Sequence, residues 1–344
     1  MKLPAPRGPV SSALVAALGR SPHDLAEDIA AGLPDSTGDP ELLLRHEDLQ
    51  LTLFICYELH YRGWDGVDDG WEWHPDLLRL RAAAEDRFEA ALRALAGRSG
   101  DTVPDEISAR SVSQKLVAMT EEPGGPSLSG YLRGRATLAQ FREFATHRSV
   151  YHLREADPHT FAIPRLSGRP KAALVEIQMD EYGGGRVDRM HQELFRRTME
   201  GLGLDTTYGT YVDDVPALTL ATNNLMSLFG LHRRLRGALL GHLAAYEMTS
   251  SLPNRAYGNG LRRLGGDAVA TRFYDEHVEA DAVHEQIAAY DMAGSFCVGE
   301  PELTADVIFG ARCALALDEL WAGDVLRGWA AGRSSLRGEL SGSA

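Results

Sequence analysis

Apolar residues recur at spacings of three and four along most of the chain, the pattern of helices that bury one stripe and leave the other in water. From Glu41, ELLLRHEDLQLTLFICYELHYRG carries this spacing, and WEWHPDLLRLRAAAEDRFEAALRALAG repeats it. Pro75 is placed for a first helical turn and Gly97 for a stop. The same spacing predicts helices around 109–120, 128–148, 171–181, 187–202, 215–231, 233–249, 267–291 and 302–331. Strand alternation is scarce: FAIPRL is short and broken by Pro164, and LVEIQMDEY sits among helical neighbours. The residues before Glu41, rich in Pro, Gly, Ser and Asp, read as a mobile arm followed by short helices. GRSGDTVPDEIS, at 97–108, is polar and contains Gly and Pro, so it marks the best boundary. The expectation is an all-α protein with an N-terminal helical region at 1–103, a larger helical core at 104–333 and a flexible tail at 334–344.

Charge and composition narrow the function. The 344 residues carry 35 Lys and Arg against 49 Asp and Glu, a formal net charge of −14. Such a surface is poorly suited to neutralising a phosphate backbone, so nucleic acid is not an expected partner. Three cysteines, Cys56, Cys297 and Cys313, are too few and too scattered for a disulfide framework or a thiolate metal site. No stretch approaches a membrane span, and MKLPAPRGPV lacks the apolar run of a signal peptide. A soluble cytoplasmic protein is expected. The surplus carboxylates and the 12 histidines then become the informative residues.

The strongest chemical pattern is HVEADAVH, with His277, Asp281 and His284 at i, i+4 and i+7. At about 100° per residue these side chains share an arc of about 60°, one stripe of one helix, and suit a common metal. An exposed acidic face is the alternative, since Glu276, Glu279 and Glu285 are close by. In IQMDEYGGGRVDRMHQELF, Glu181 and His191 are ten residues apart and Asp188 lies one turn before His191, while Gly183, Gly184 and Gly185 mark a bulge, kink or break that re-aims Glu181. His191 falls on an apolar face with Leu194 and Phe195; Asp188 reads as a cap, with or without a ligand role. Glu247 is the one acid in the apolar helix LRGALLGHLAAYEMTSS. It either meets a cation in the interior or ends the helix at the surface before Pro253. His242 lies on the opposite face and reads as a packing or surface histidine. Three carboxylates and three imidazoles fit two metals better than one, in the manner of carboxylate-bridged di-iron sites in helical bundles.

DEYGGG followed by MHQELF, then HLAAYEMTSS, then FYDEHVEADAVHEQ, resembles the haem-oxygenase-like diiron oxidases, the iron-containing redox enzymes, over roughly 112–331. LHYRGWDGVDDGWEWHPDLLRLR is similar to the N-terminal helical region of longer members. The resemblance implies a haem-oxygenase-like helical bundle that holds two Fe ions through side chains rather than haem. It implies Glu181, His191, Glu247, His277, Asp281 and His284 as metal ligands. The ten-residue Glu181–His191 spacing resembles the branch that oxygenates nitrogen, which carries an additional carboxylate ligand. Glu155 in HLREADPHTF and Asp188 are the two candidates, with Glu155 preferred, although it could instead pair with Arg154 or another base. His159 either positions substrate or caps the turn at Pro158.

The function implied is O2-dependent N-oxygenation of an amine or guanidine of an amino-acid-like substrate in natural-product biosynthesis, with an external reductant. Desaturation or C–C cleavage of an amino or fatty acid is the alternative within the fold, and a non-catalytic helical binding protein the alternative outside it. Asp180, Tyr182, Tyr246, Asn223 and Asn224 are polar residues compatible with a cationic substrate. Trp64, Trp71 and Trp73 in the N-terminal region read as packing residues, and the resemblance implies a homodimer interface there.

Overall fold

The computed structural model describes residues 1–26, 28–35, 38–122, 125 and 127–338, with the backbone alone at 280–283. Among the described residues there is helix and no strand. The N-terminal helices are α1 (Pro9–Leu18), α2 (Pro40–Leu44), α3 (Glu47–Glu58) and α4 (Pro75–Gly97). Next come α5 (Ala109–Thr120), α6 (Leu128–Gly134), α7 (Leu138–His152), α8 (Asp157–Thr160), α9 (Gly168–Glu181) and α10 (His191–Gly201). The chain continues through α11 (Ala217–Leu231), α12 (Arg236–Arg263), α13 (Ala268–Gln286), α14 (Ser295–Gly299) and α15 (Thr304–Ala330). A π-helical stretch, Ile287–Gly294, joins α13 to α14. No helix among the described residues is long and apolar enough to cross a membrane.

Local chemistry explains where the helices stop and start. The predicted helix at 128–148 divides into α6 and α7 because Thr137 and Gln140 form a reciprocal cap: the Thr137 hydroxyl accepts the Gln140 N–H, and the Gln140 side chain accepts the Thr137 N–H at 3.0 Å. The long stretch from Glu41 divides at His46, whose Nδ1 accepts the Leu49 N–H at 3.2 Å to cap α3. The opposite departure occurs in α12, which runs on through Pro253. Proline has no N–H to offer the Thr249 carbonyl, yet α12 packs along both α13 and α15, and that packing carries it over the interruption.

The N-terminal segment is not a free arm. The Met1 amino group pairs with Asp65 at 2.9 Å, Arg7 pairs with Glu47 at 2.7 Å, and Val10, Leu14 and Leu18 of α1 are buried. Apolar residues of α1, α3 and α4 join those of α7, α11, α12 and α15 in one continuous core. Trp64 and Trp71 lie inside it, whereas Trp73 is 66% exposed. At the other end, Ser335 bonds the Glu143 carboxylate and Leu336 is buried; residues beyond 338 lie outside the described residues. The tightest approach is between α12 and α15. A Cβ at Gly241 would overlap the Val307 carbonyl, and one at Gly310 would overlap the Ala238 carbonyl, so these helices touch backbone to backbone.

Candidate metal centre

Four buried side chains from four separate segments meet at one point. Glu155, Glu181, His191 and His277 each present a ligating atom, and these atoms lie within 4.8 Å of one another. Glu155 comes from the turn after α7. Glu181 ends α9, His191 opens α10, and His277 projects from α13. Two backbone devices aim the first three. Ala156 adopts φ 70°, a left-handed conformation unusual for a residue with a Cβ, which turns the chain sharply beside Glu155. Gly183 has φ 62°, and a Cβ there would lie 2.6 Å from the Arg189 carbonyl carbon; glycine is required to fold the loop back so that His191 faces Glu181.

The hydrogen bonds around the cluster orient its lone pairs inward. His277 Nδ1 donates to the Phe273 carbonyl at 2.8 Å, which leaves Nε2 directed toward Glu155 Oε1 at 3.7 Å. His152 Nδ1 lies 2.8 Å from Glu155 Oε1. Its ring packs on Phe195 and Phe273, with centroids 4.7 and 4.8 Å away. His191 Nδ1 and Glu181 Oε2 are 3.1 Å apart, but their geometry is not that of a hydrogen bond. Among the described residues, Glu155 Oε2, Glu181 Oε2 and His191 Nδ1 are buried without a hydrogen-bond partner. Such atoms are costly in an apolar interior unless a cation satisfies them, and oxygen and imidazole nitrogen are the donor set that iron accepts. The residues therefore fit a bound metal.

Protonation follows the same logic. Burial alone would raise the Glu155 carboxyl, but the imidazoles of His152 and His277 outweigh it and hold it well below the usual carboxylate range. Burial lowers His152, so the pair is a neutral imidazole donating to an ionised carboxylate. For His191, burial is outweighed by the Glu181 carboxylate and the imidazole is raised. His284 is pushed up to about 9, burial being overcome by Glu247 and then Asp180. A metal replaces those protons with its own charge.

A second pair lies within electrostatic reach of Glu181. Glu247 Oε2 is 3.3 Å from His284 Nδ1, and His284 Nε2 is 2.9 Å from Asp180 Oδ2. Glu247 is buried inside α12, so the reading that it ends a helix at the surface does not hold. The side chain of Asp281 lies outside the described residues. Asp188 is not part of the cluster: it is exposed and pairs with Arg186 at 3.2 Å, because the triple-glycine turn directs it outward. His242 is fully buried, as a packing residue, with Nδ1 3.2 Å from Nε2 of His159, and of the two only His159, among the described residues, lines the cavity beside the cluster. His152 carries no motif in the sequence; only its position three residues before Glu155 could have drawn attention to it.

A cavity of about 280 Å³ reaches these groups. Glu155, Glu181, Glu247 and His277 line it at the metal end, and Arg148, Tyr257 and Asp318 also face it.

Two comparisons bear on this arrangement. The nitrosourea synthase of Streptomyces achromogenes subsp. streptozoticus is 31% identical over 138 residues, covering 40% of this chain and 29% of that protein. The match thus spans less than a third of that relative's length. The family model described as iron-containing redox enzyme matches residues 142–319, just over half of the chain, an interval that holds all seven candidate ligands. The buried carboxylates and imidazoles, the helical scaffold around them and this match agree, and the chain belongs to the iron-containing redox enzyme family.

Proposed function

We propose that this protein is a non-haem diiron oxygenase that uses O2 to oxidise the nitrogen of an amine or guanidine in an amino-acid-like substrate, with electrons returned by an external donor. The observation that carries the reading is the convergence of Glu155 with Glu181, His191 and His277. Glu155 would serve as the additional carboxylate that the resemblance associates with the nitrogen-oxygenating branch. Glu155, Glu181, His191 and His277 would hold one iron, while Glu247, Asp281 and His284 would supply the second together with a shared carboxylate. When bound, the irons supply O2 activation. The chain's own residues do the rest: His152 and the Phe273 carbonyl fix the orientation of Glu155 and His277, and Phe195 and Phe273 pack on the His152 ring and hold it in place. An additional carboxylate favours this reading over desaturation or C–C cleavage. The cavity beside the cluster favours an enzyme over a binding protein.

The test loads the metal-free protein anaerobically with Fe(II), measures stoichiometry, and mixes with O2 while recording visible absorption. Two irons per chain and a transient absorption are expected, with His191→Ala and His277→Ala each reducing iron uptake. Unchanged uptake in both variants would show that the ligands lie elsewhere.

A further inference from the structure

We propose that Arg148 and Asp318 form the anchor for the α-amino-acid head of the substrate, so that the substrate enters with its carboxylate on Arg148 and its reacting nitrogen toward Glu155 and Glu181. This rests on the amino-acid-like substrate of the proposed function and adds the residues that select it. The charged side chains of the lining fall into two groups, the Arg148–Asp318 pair and the carboxylates of the candidate metal centre. Among the described residues Arg148 is the only Arg or Lys that lines the cavity, while Glu155, Glu181 and Glu247 belong to the candidate ligands. A substrate carboxylate therefore has one cationic side chain of the lining to meet, and seated there it leaves the rest of the substrate to extend toward the candidate ligands.

Arg148 is built to serve as a fixed donor. Its guanidinium lies 4.1 Å over the Trp321 ring and makes a single hydrogen bond to Asp318, from Nη2 to Oδ1 at 2.9 Å. That bond leaves further N–H groups of the planar fork for a second carboxylate. Asp318 is 46% exposed, so its other oxygen is open to an α-ammonium group. Opposite charges side by side complement a zwitterion, which a lone arginine would not. Tyr246 lines the cavity with both groups. Along α7, Arg148 precedes His152 by one turn, about 6 Å of rise, and His152 touches Glu155. With the α-ammonium held at Asp318, the nitrogen free to reach the cluster is one on the side chain of the amino acid.

Isothermal titration on the metal-free protein decides this, with L-arginine, L-lysine and L-ornithine compared with agmatine, cadaverine and putrescine, which lack the carboxylate. At least one amino acid should bind about tenfold or more tightly than its decarboxylated counterpart. Arg148→Met should erase that preference and Arg148→Lys should keep part of it. Asp318→Asn should leave the carboxylate preference and lose discrimination against the Nα-acetyl amino acid. If Arg148→Met fails to fold, the Asp318→Asn result decides. Binding of none of the three amino acids, a preference that survives Arg148→Met, or an unchanged Asp318→Asn profile overturns the proposal. Because the readout needs no iron, its failure is distinct from failure of the diiron reading, which is judged on metal stoichiometry and O2.

Discussion

Replacing Glu58 by Leu should unseat the turn that carries Glu155. Arg154, the residue before Glu155, is 1% exposed, and its Nη1 donates to Glu58 Oε2 at 3.0 Å; Glu58 is fully buried on α3. The Tyr208 hydroxyl lies 2.9 and 2.8 Å from the two Glu58 oxygens, and the guanidinium packs over the Tyr61 ring at 4.4 Å. Arg154 and Glu155 thus leave the same turn in opposite directions, one toward α3 and one into the metal cluster. The left-handed Ala156 beside them costs about 1–2 kcal/mol, which the surrounding contacts must outweigh. Glu58→Leu keeps the volume and strands a guanidinium charge in the interior, a loss of about 3–5 kcal/mol. Urea denaturation of the metal-free protein should show that loss as a lower midpoint at an unchanged slope. The double variant Glu58→Leu/Arg154→Met should recover most of the stability, since an apolar pair needs no partner. Iron affinity, measured against a chelator, should stay about tenfold or more below the parent in both variants, because neither retains the anchor. A single variant that costs less than about 1 kcal/mol, or a double variant as unstable as the single, would refute the reasoning.

Two further outcomes are expected. His152→Phe fills the aromatic pocket but removes the nitrogen 2.8 Å from Glu155; iron affinity should fall by roughly 10–100-fold with little change in melting temperature, and equal affinity in a chelator competition would remove His152 from the positioning set. His147 is buried with Nδ1 2.7 Å from the Thr219 hydroxyl, and burial pushes its imidazole down to about 3. Its folded value lies below its unfolded value, so the stability it contributes is complete above pH 6.5 and is lost as pH falls toward 3, amounting to about 3 kcal/mol by pH 4. Urea midpoints between pH 7 and 4 should fall less steeply for His147→Gln than for the parent.

Helices were legible wherever their cause is local. The 3.6-residue spacing and the Pro75 start act within a few residues of themselves, as does the Ser108 hydroxyl that the structure shows capping α5. Thr137 and Gln140 show that a readable cap can be hidden by apolar spacing that continues across it. Pro253 misleads in the other direction, because packing by α13 and α15 is not written in the segment it rescues. Within the candidate site, Glu181 and His191 are joined by one motif, and the glycines between them announce a turn. The choice between Glu155 and Asp188 depends on which way that turn and the Ala156 turn point their side chains, a question of backbone direction that spacing does not answer. Glu58 and Arg154 are 96 residues apart, and neither has a local signal; only burial makes them partners.

The backbone contacts that α12 and α15 make at Gly241 and Gly310 work as the pivot of a pair of shears. Every residue that α12 and α15 contribute to the cavity, Leu243 to Tyr257 on one and Ala314 to Asp318 on the other, lies on the same side of those contacts. The width of the chamber is therefore set at a place no substrate reaches. A methyl group added at either glycine would lever the two blades apart along their length, so the chamber can change width while the identity of every residue that lines it is unchanged.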